Sequence, residues 1–196
     1  PGNDSIFYLF VTDSYGSNYA NGLNYFIINK NANSGYGDII GNGTQILPYC
    51  TGSVVATYAE NMTDCLIVST DTLGKLYSWE LNDTGLSNVL CTYNLSYTIK
   101  TLYNKSIKWT GLRASTNPNS TKIAINTCNN VGVPSTLSLI SLNKKTACFD
   151  AEILLAADSV VYDSAYFYYH TAFSPTGKTL YATLREADYW PTADGY

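Results

Sequence analysis

The residues able to do chemistry in this chain are few and widely spaced. His170 is the one histidine and closes an aromatic run, Ala165 to His170. As a general base it would need a neighbour to orient its imidazole, and Asp163 and Arg113 are the partners to consider. A strand histidine with its ring packed accounts for the same residue without catalysis. No Gly-x-Ser-x-Gly sequence marks a nucleophile on a strained turn, so a Ser/His/Asp triad rests on residue types alone. Asp13 and Asp71 share one position of an internal repeat and could offer oxygen ligands to Ca²⁺, yet neither sits in a D-x-[DN]-x-[DN]-G loop. At the third repeat that position is Asn129, and an Asp that organises a turn explains the pair equally well.

Five cysteines, Cys50, Cys65, Cys91, Cys128 and Cys148, are all candidates for disulfides. Two bridges would leave one thiol over, and the spacing does not choose among the pairings. None forms a Cys-x-x-Cys pair, so with a single His the chain lacks the usual zinc set and no cofactor is expected. Asn-x-Ser/Thr sequons at Asn3, Asn42, Asn61, Asn82, Asn94, Asn104 and Asn119 are candidate sites for N-linked glycans, most of them in expected turns. A net charge of -4, with 11 Lys and Arg spread along the chain, gives no basic stripe for nucleic acid. No apolar run approaches the roughly 18 to 20 residues of a membrane-spanning helix, so no membrane span is expected. Low charge, 13%, together with 18 tyrosines suits a secreted, strand-rich protein. The opening Pro1 reads as the start of a processed or excerpted piece.

What must position these residues is a set of hairpins. Asp64 to Leu81 packs two strands and a tight turn into one stretch: Cys65 to Thr70 is apolar and β-branched, Asp71-Thr72-Leu73-Gly74 supplies turn chemistry, and Leu76 to Leu81 resumes an extended pattern. Thr12-Asp13-Ser14-Tyr15-Gly16 matches Thr70-Asp71-Thr72-Leu73-Gly74, and Gly132 falls at the same step of 58. Leu9, Leu66, Ile123 and Leu180 recur at 57, so the repeat is 57 to 58 residues. The first unit offers strands at Ile6 to Thr12, Leu23 to Asn29 and, briefly, Asp38 to Ile40, the first apolar enough to be buried on both faces. The second offers Ser53 to Tyr58, the Asp64 to Leu81 hairpin and Asn88 to Tyr93. The third offers Lys108 to Ser115, Lys122 to Thr127, Thr136 to Leu142 and Ala147 to Leu154, and the fourth Phe167 to Phe173 and Lys178 to Leu184. No segment carries an amphipathic helical stripe with caps.

Pro175-Thr176-Gly177-Lys178-Thr179-Leu180-Tyr181-Ala182-Thr183 resembles the core of β-propeller blades of the YVTN and lactonase-like type, and Leu76 to Leu81 resembles the third strand of a WD40-like blade. The resemblance implies an all-β, β-propeller-like array of four-stranded antiparallel blades, two complete and two partial. Their expected bounds are 1–49, 50–104, 105–160 and 161–196. Tandem β-sandwich modules are the alternative. Two full blades and two pieces do not make an ordinary ring, so the expectation is an excerpt of a longer propeller or open ends that meet another subunit. Tyr162, Tyr166, Tyr168, Tyr169, Tyr181, Tyr189, Trp190 and Tyr196 crowd the last part of the chain as candidate interface residues. The sequence thus predicts a non-enzymatic, extracellular glycoprotein module, structural or adhesive, whose partners are other copies of itself or other extracellular proteins in a surface layer or filament. The alternative is a lactonase-like propeller hydrolase or a carbohydrate-binding lectin.

Overall fold

The structure, a computed structural model, describes residues 4–13, 19–98, 100, 102, 107, 109–114, 121–128, 135–158 and 166–186. Among these the chain forms strands β1 (Ile6–Thr12), β2 (Leu23–Asn29), β3 (Asp38–Leu47), β4 (Cys50–Tyr58), β5 (Cys65–Asp71), β6 (Lys75–Asn82), β7 (Gly85–Leu86), β8 (Cys91–Asn94), β9 (Trp109–Ala114), β10 (Thr121–Cys128), β11 (Ser135–Leu142), β12 (Phe149–Asp158), β13 (Tyr166–Phe173) and β14 (Leu180–Glu186). They make four antiparallel sheets, in the orders β1-β2-β3, β4-β5-β6 with β7 and β8 both on β6, β9-β10-β11-β12, and β13-β14. The chain is therefore all-β and β-propeller-like: successive sheets of the repeat stack face to face.

The second sheet explains why. On β5, Leu66 and Val68 point to one face, and with Leu76, Leu95 and Ala59 they join Leu112, Ile123, Ile125 and Ile140 of the third sheet in one core. Ile67 points to the other face, and with Trp79, Leu81 and Cys50 it meets Leu23 and Leu47 of the first sheet in a second core. Successive strand residues face opposite ways, so a strand apolar at every position needs a neighbour on each side. At about 25 cal/mol per Å² of apolar surface removed from water, two such cores are the main stabilising force of the stack.

Face direction also fixes the repeat. Tyr8 and Phe10 of β1 pack toward the second sheet, as Leu66 and Val68 pack toward the third, which is a step of 58. The step of 57 that aligns Leu9 with Leu66 would turn every side chain to the wrong face, because strand periodicity is two. Within the repeat, Ile67 and Ile125 correspond, and each faces the preceding sheet.

Two expectations need correction. The first sheet's outer strand is β3, ten residues rather than the short Asp38 to Ile40, because its pairing with β2 skips at a register shift between Tyr25 and Ile27. Gly41, at φ +67°, takes up the irregularity, and Gly43 leaves room for the Phe26 ring, which a Cβ would strike. The second is β1, which is not buried on both faces: Phe7, Leu9 and Val11 are 53%, 46% and 42% exposed, since no described sheet precedes it.

The free energy held in the stack is measurable. Leu66→Ala, in the core between the second and third sheets, should lower unfolding free energy in urea by about 2–5 kcal/mol. Leu73→Ala, at the exposed tip of the β5–β6 turn, should change it by no more than about 0.5 kcal/mol.

Candidate functional site

Where the second and third sheets meet, two turns build a polar cleft. The β4–β5 turn is organised by Asn61, whose Oδ1 accepts the N–H groups of Thr63 and Asp64, both at 3.0 Å, and whose Nδ2 donates to Asp64 Oδ2 at 2.6 Å. Asn143 does the same for the β11–β12 loop, its Oδ1 accepting from the N–H groups of Lys145 and Thr146 at 2.9 and 3.1 Å. That loop is fastened to the second sheet at three points. Glu60 N–H donates to the Lys144 carbonyl at 3.3 Å, Ser78 Oγ donates to the Ala147 carbonyl at 2.7 Å, and a disulfide joins Cys148 to Cys91 of β8.

The resulting cavity, about 750 Å³, is lined by Glu60 and Met62 from the first turn, Thr121 and Lys122 of β10, Ser141 and Leu142 of β11, Asn143, Lys144 and Lys145 of the loop, and Asp150 of β12. Lys122 Nζ donates to Ser141 Oγ. Three ammonium groups beside two carboxylates can hold a negatively charged or polarised oxygen while a carboxylate accepts a proton from water. Sequence reasoning missed this cleft. Its linear traces are the run Ser141 to Lys145 and the pair Thr121-Lys122; these segments, Glu60, Met62 and Asp150 meet only on folding.

A second buried polar device holds the same two sheets together. Glu152, on β12, accepts from the N–H groups of Ser96 and Tyr97 with one carboxylate oxygen, at 2.7 and 3.4 Å, and from Ser138 Oγ with the other, at 2.6 Å. A buried carboxylate this well supplied with donors is a clamp rather than a loose charge.

The predicted site residues fall as follows. Asp71 is a turn residue: its Oδ1 accepts the N–H groups of Leu73 and Lys75 at 2.8 and 2.9 Å, and its Oδ2 accepts the Tyr77 hydroxyl at 3.0 Å. Asp13 accepts the Asn21 N–H at 2.8 Å. Among the described residues no group of three His, Cys, Asp or Glu side chains could hold a metal. Of the cysteines, Cys91 and Cys148 are bonded while Cys50, Cys65 and Cys128 are free, so one bridge replaces the two that five cysteines allowed. Cys50 and Cys128 are buried in separate places, Cys50 against Ser69 Oγ at 3.1 Å. Asn42, Asn61 and Asn94 are exposed and Asn82 is half-buried, its Oδ1 accepting the Thr84 N–H and hydroxyl. Asn3, Asn104, Asn119, Asn129, Tyr162, Asp163, Tyr189, Trp190 and Tyr196 lie outside the described residues. Tyr168, Tyr169 and His170 lie on β13, with a register shift between Tyr168 and His170.

With this geometry in hand the chain can be set beside known proteins. No protein-family profile and no curated protein matches it. Its fold is that of a candidate 6-phosphogluconolactonase from Bacteroides uniformis. That solved structure superposes with a TM-score of 0.54 at 12% identity, over 89% of this chain and 43% of the other. The chain thus spans less than half the length of the lactonase-like structure it matches. The propeller resemblance stands as architecture. The expectation of a chain that is not an enzyme is corrected: the protein sharing its fold bears an enzyme's name.

Burial sets the titration of four groups on the second and third sheets. It pushes the Cys128 thiol up to about 12 and raises Cys50 and Cys65. Burial first, and then the charge and hydrogen bond of Asp71, push the Tyr77 phenol up to about 12. Each group keeps its proton longer folded than unfolded, so its contribution is whole below the unfolded pKa and is lost as pH rises toward 12. Melting temperature should therefore fall steadily above about pH 9, the region where unfolded thiols and phenols begin to ionise. Tyr77→Phe should flatten the upper part of that fall, as read by calorimetry across the alkaline range.

Proposed function

We propose that the chain belongs to a lactonase-like propeller hydrolase and that the cleft between the second and third sheets binds its substrate, a small ester or lactone. The observation that carries this reading is the fold shared with a candidate lactonase along 89% of the chain. The cleft supplies chemistry of the right kind. Glu60 or Asp150 takes a proton from water, and the hydroxide formed attacks the acyl carbon. The ammonium groups of Lys122, Lys144 and Lys145 stabilise the negative oxygen of the tetrahedral intermediate. Collapse breaks the acyl carbon–oxygen bond, and the leaving alkoxide takes back the proton, giving a hydroxy acid from a lactone.

The chain is also proposed to mature in an oxidising, secretory compartment and to carry N-linked glycans at Asn42, Asn61 and Asn94. The Cys91–Cys148 bridge and the exposure of these three side chains support that placement.

Six-membered sugar lactones, with and without a phosphate group, provide the test. The full chain should hydrolyse at least one of them saturably and above the spontaneous rate, followed by acid release. Asp150→Asn or Glu60→Gln should lower kcat by about 100-fold or more with the melting temperature held. Absence of hydrolysis across the panel by folded wild-type protein rejects the reading. For the second claim, glycosidase treatment of secreted protein should reduce its intact mass, and Asn61→Gln should remove one glycan unit.

A further inference from the structure

The β11–β12 loop is both a wall of the cleft and the segment that the disulfide fastens. Asn143, Lys144 and Lys145 line the cavity, and Cys148 at the loop's end is bonded to Cys91 of β8. Cys50, Cys65 and Cys128 are thiols, so this bridge is the bond that a reductant would open. Neither of its cysteines is buried, unlike Cys50 and Cys128, and the bridge therefore lies near the surface.

The backbone beside the bridge is strained. Ala147 holds φ at +57°, in the left-handed region that a residue with a Cβ disfavours, and its side chain is buried. Such a conformation persists only while its surroundings impose it. They do so here through the Ala147 carbonyl, which accepts Ser78 Oγ at 2.7 Å, and through Cys148, tied to β8. Toward the cavity the hold is weaker. Asn143, Lys145 and Thr146 are exposed, and the backbone bond to the β4–β5 turn, from Glu60 N–H to the Lys144 carbonyl, is long at 3.3 Å. Hydrogen bonds that can be exchanged for bonds to water hold a loop less firmly than a covalent link.

We infer that the Cys91–Cys148 bridge is a redox lock on the cleft, and that its reduction frees the loop and withdraws Lys144 and Lys145 from the site. The effect on turnover rests on the reading of the cleft as the substrate site; the lock itself does not. The reductant is a dithiol. One of its thiolates attacks a sulfur of the bridge, forming a mixed disulfide and releasing the other cysteine as a thiolate; its second thiol then expels the attached cysteine. The bridge gains two electrons and two protons, and the dithiol becomes a disulfide. The cleft is thus complete in an oxidising compartment and incomplete in a reducing one.

The test compares the full chain before and after dithiothreitol, with intact mass reporting the two hydrogens gained. Brief trypsin treatment reads the loop without substrate, since Lys144 and Lys145 are cleavage points that a fixed loop protects. Cleavage after them should be about 10-fold faster or more on reduction, with circular dichroism unchanged. The double change Cys91→Ser with Cys148→Ser should be cleaved at the reduced rate with or without the dithiol. For a lactone that the oxidised chain hydrolyses, kcat/KM should fall about 10-fold or more on reduction. A reduced chain whose loop is cleaved no faster overturns the inference, and so does a freed loop with unaltered kcat/KM. Loss of the far-ultraviolet spectrum on reduction also overturns it, because the bridge would then hold the whole fold and not the loop. A loop released on reduction in a chain that hydrolyses nothing in either state upholds the lock and rejects only the hydrolase reading.

Discussion

A strand whose apolar side chains cover both faces cannot fold alone, and β5, with Leu66, Ile67 and Val68 in succession, is such a strand. Leu66 and Val68 need one partner sheet and Ile67 needs another, so the second sheet is stable only between the first and the third. Everything else in the stack follows from that double demand. β4 and β9 lie together because the sheets must present their faces, and the turns at either end must clear one another. Polar residues enter these interfaces only where they are fully bonded. Ser53 Oγ accepts the Leu112 N–H at 2.9 Å, Ser78 reaches the Ala147 carbonyl, and Glu152 ties the segment after β8 to β11 and β12. Among the described residues the exceptions are the Thr110 and Thr171 hydroxyls, buried on β9 and β13 with no protein partner.

The same demand explains where the cleft lies. Two twisted sheets meet well along their middles and diverge at their ends, where turns of different length splay apart. At one such end the β4–β5 turn and the β11–β12 loop leave a space, and the charged residues that cannot enter either core collect around it. The loop is nevertheless held firmly, through a backbone bond, a side-chain bond and a disulfide. Such a rigid wall gives the cleft a fixed shape, which binding and catalysis both require.

Much of the fold was legible because its rules are local. β1 and β2 span the residues that alternation and apolar runs predict, and the Asp71 turn follows from Asx chemistry. The 58-residue repeat was visible too, although only side-chain facing separates it from 57. Less was legible where distant residues decide. A Gly-rich stretch around Gly41 and Gly43 looks like a loop and is a bulged strand, because its partner β2 supplies the ladder. The apolar run of β1 reads as doubly buried, yet burial depends on a neighbour that the run cannot specify. Nor could the partner of Cys91 be chosen from five cysteines before the β11–β12 loop was placed, and the cleft joins residues from Glu60 to Asp150. Interactions across sheets carry no local signature.

The Cys91–Cys148 bridge joins residues at a sequence separation of 57 and closes a loop that contains β9, β10 and β11. A tension applied to the two ends of the chain would pass from β8 through the sulfur atoms into β12 without entering that loop. Three strands of the third sheet are thereby taken out of the load path. Mechanically the protein is two extensible ends joined by a shielded middle, and under pulling its contour can lengthen only outside residues 91–148 while the bond is intact.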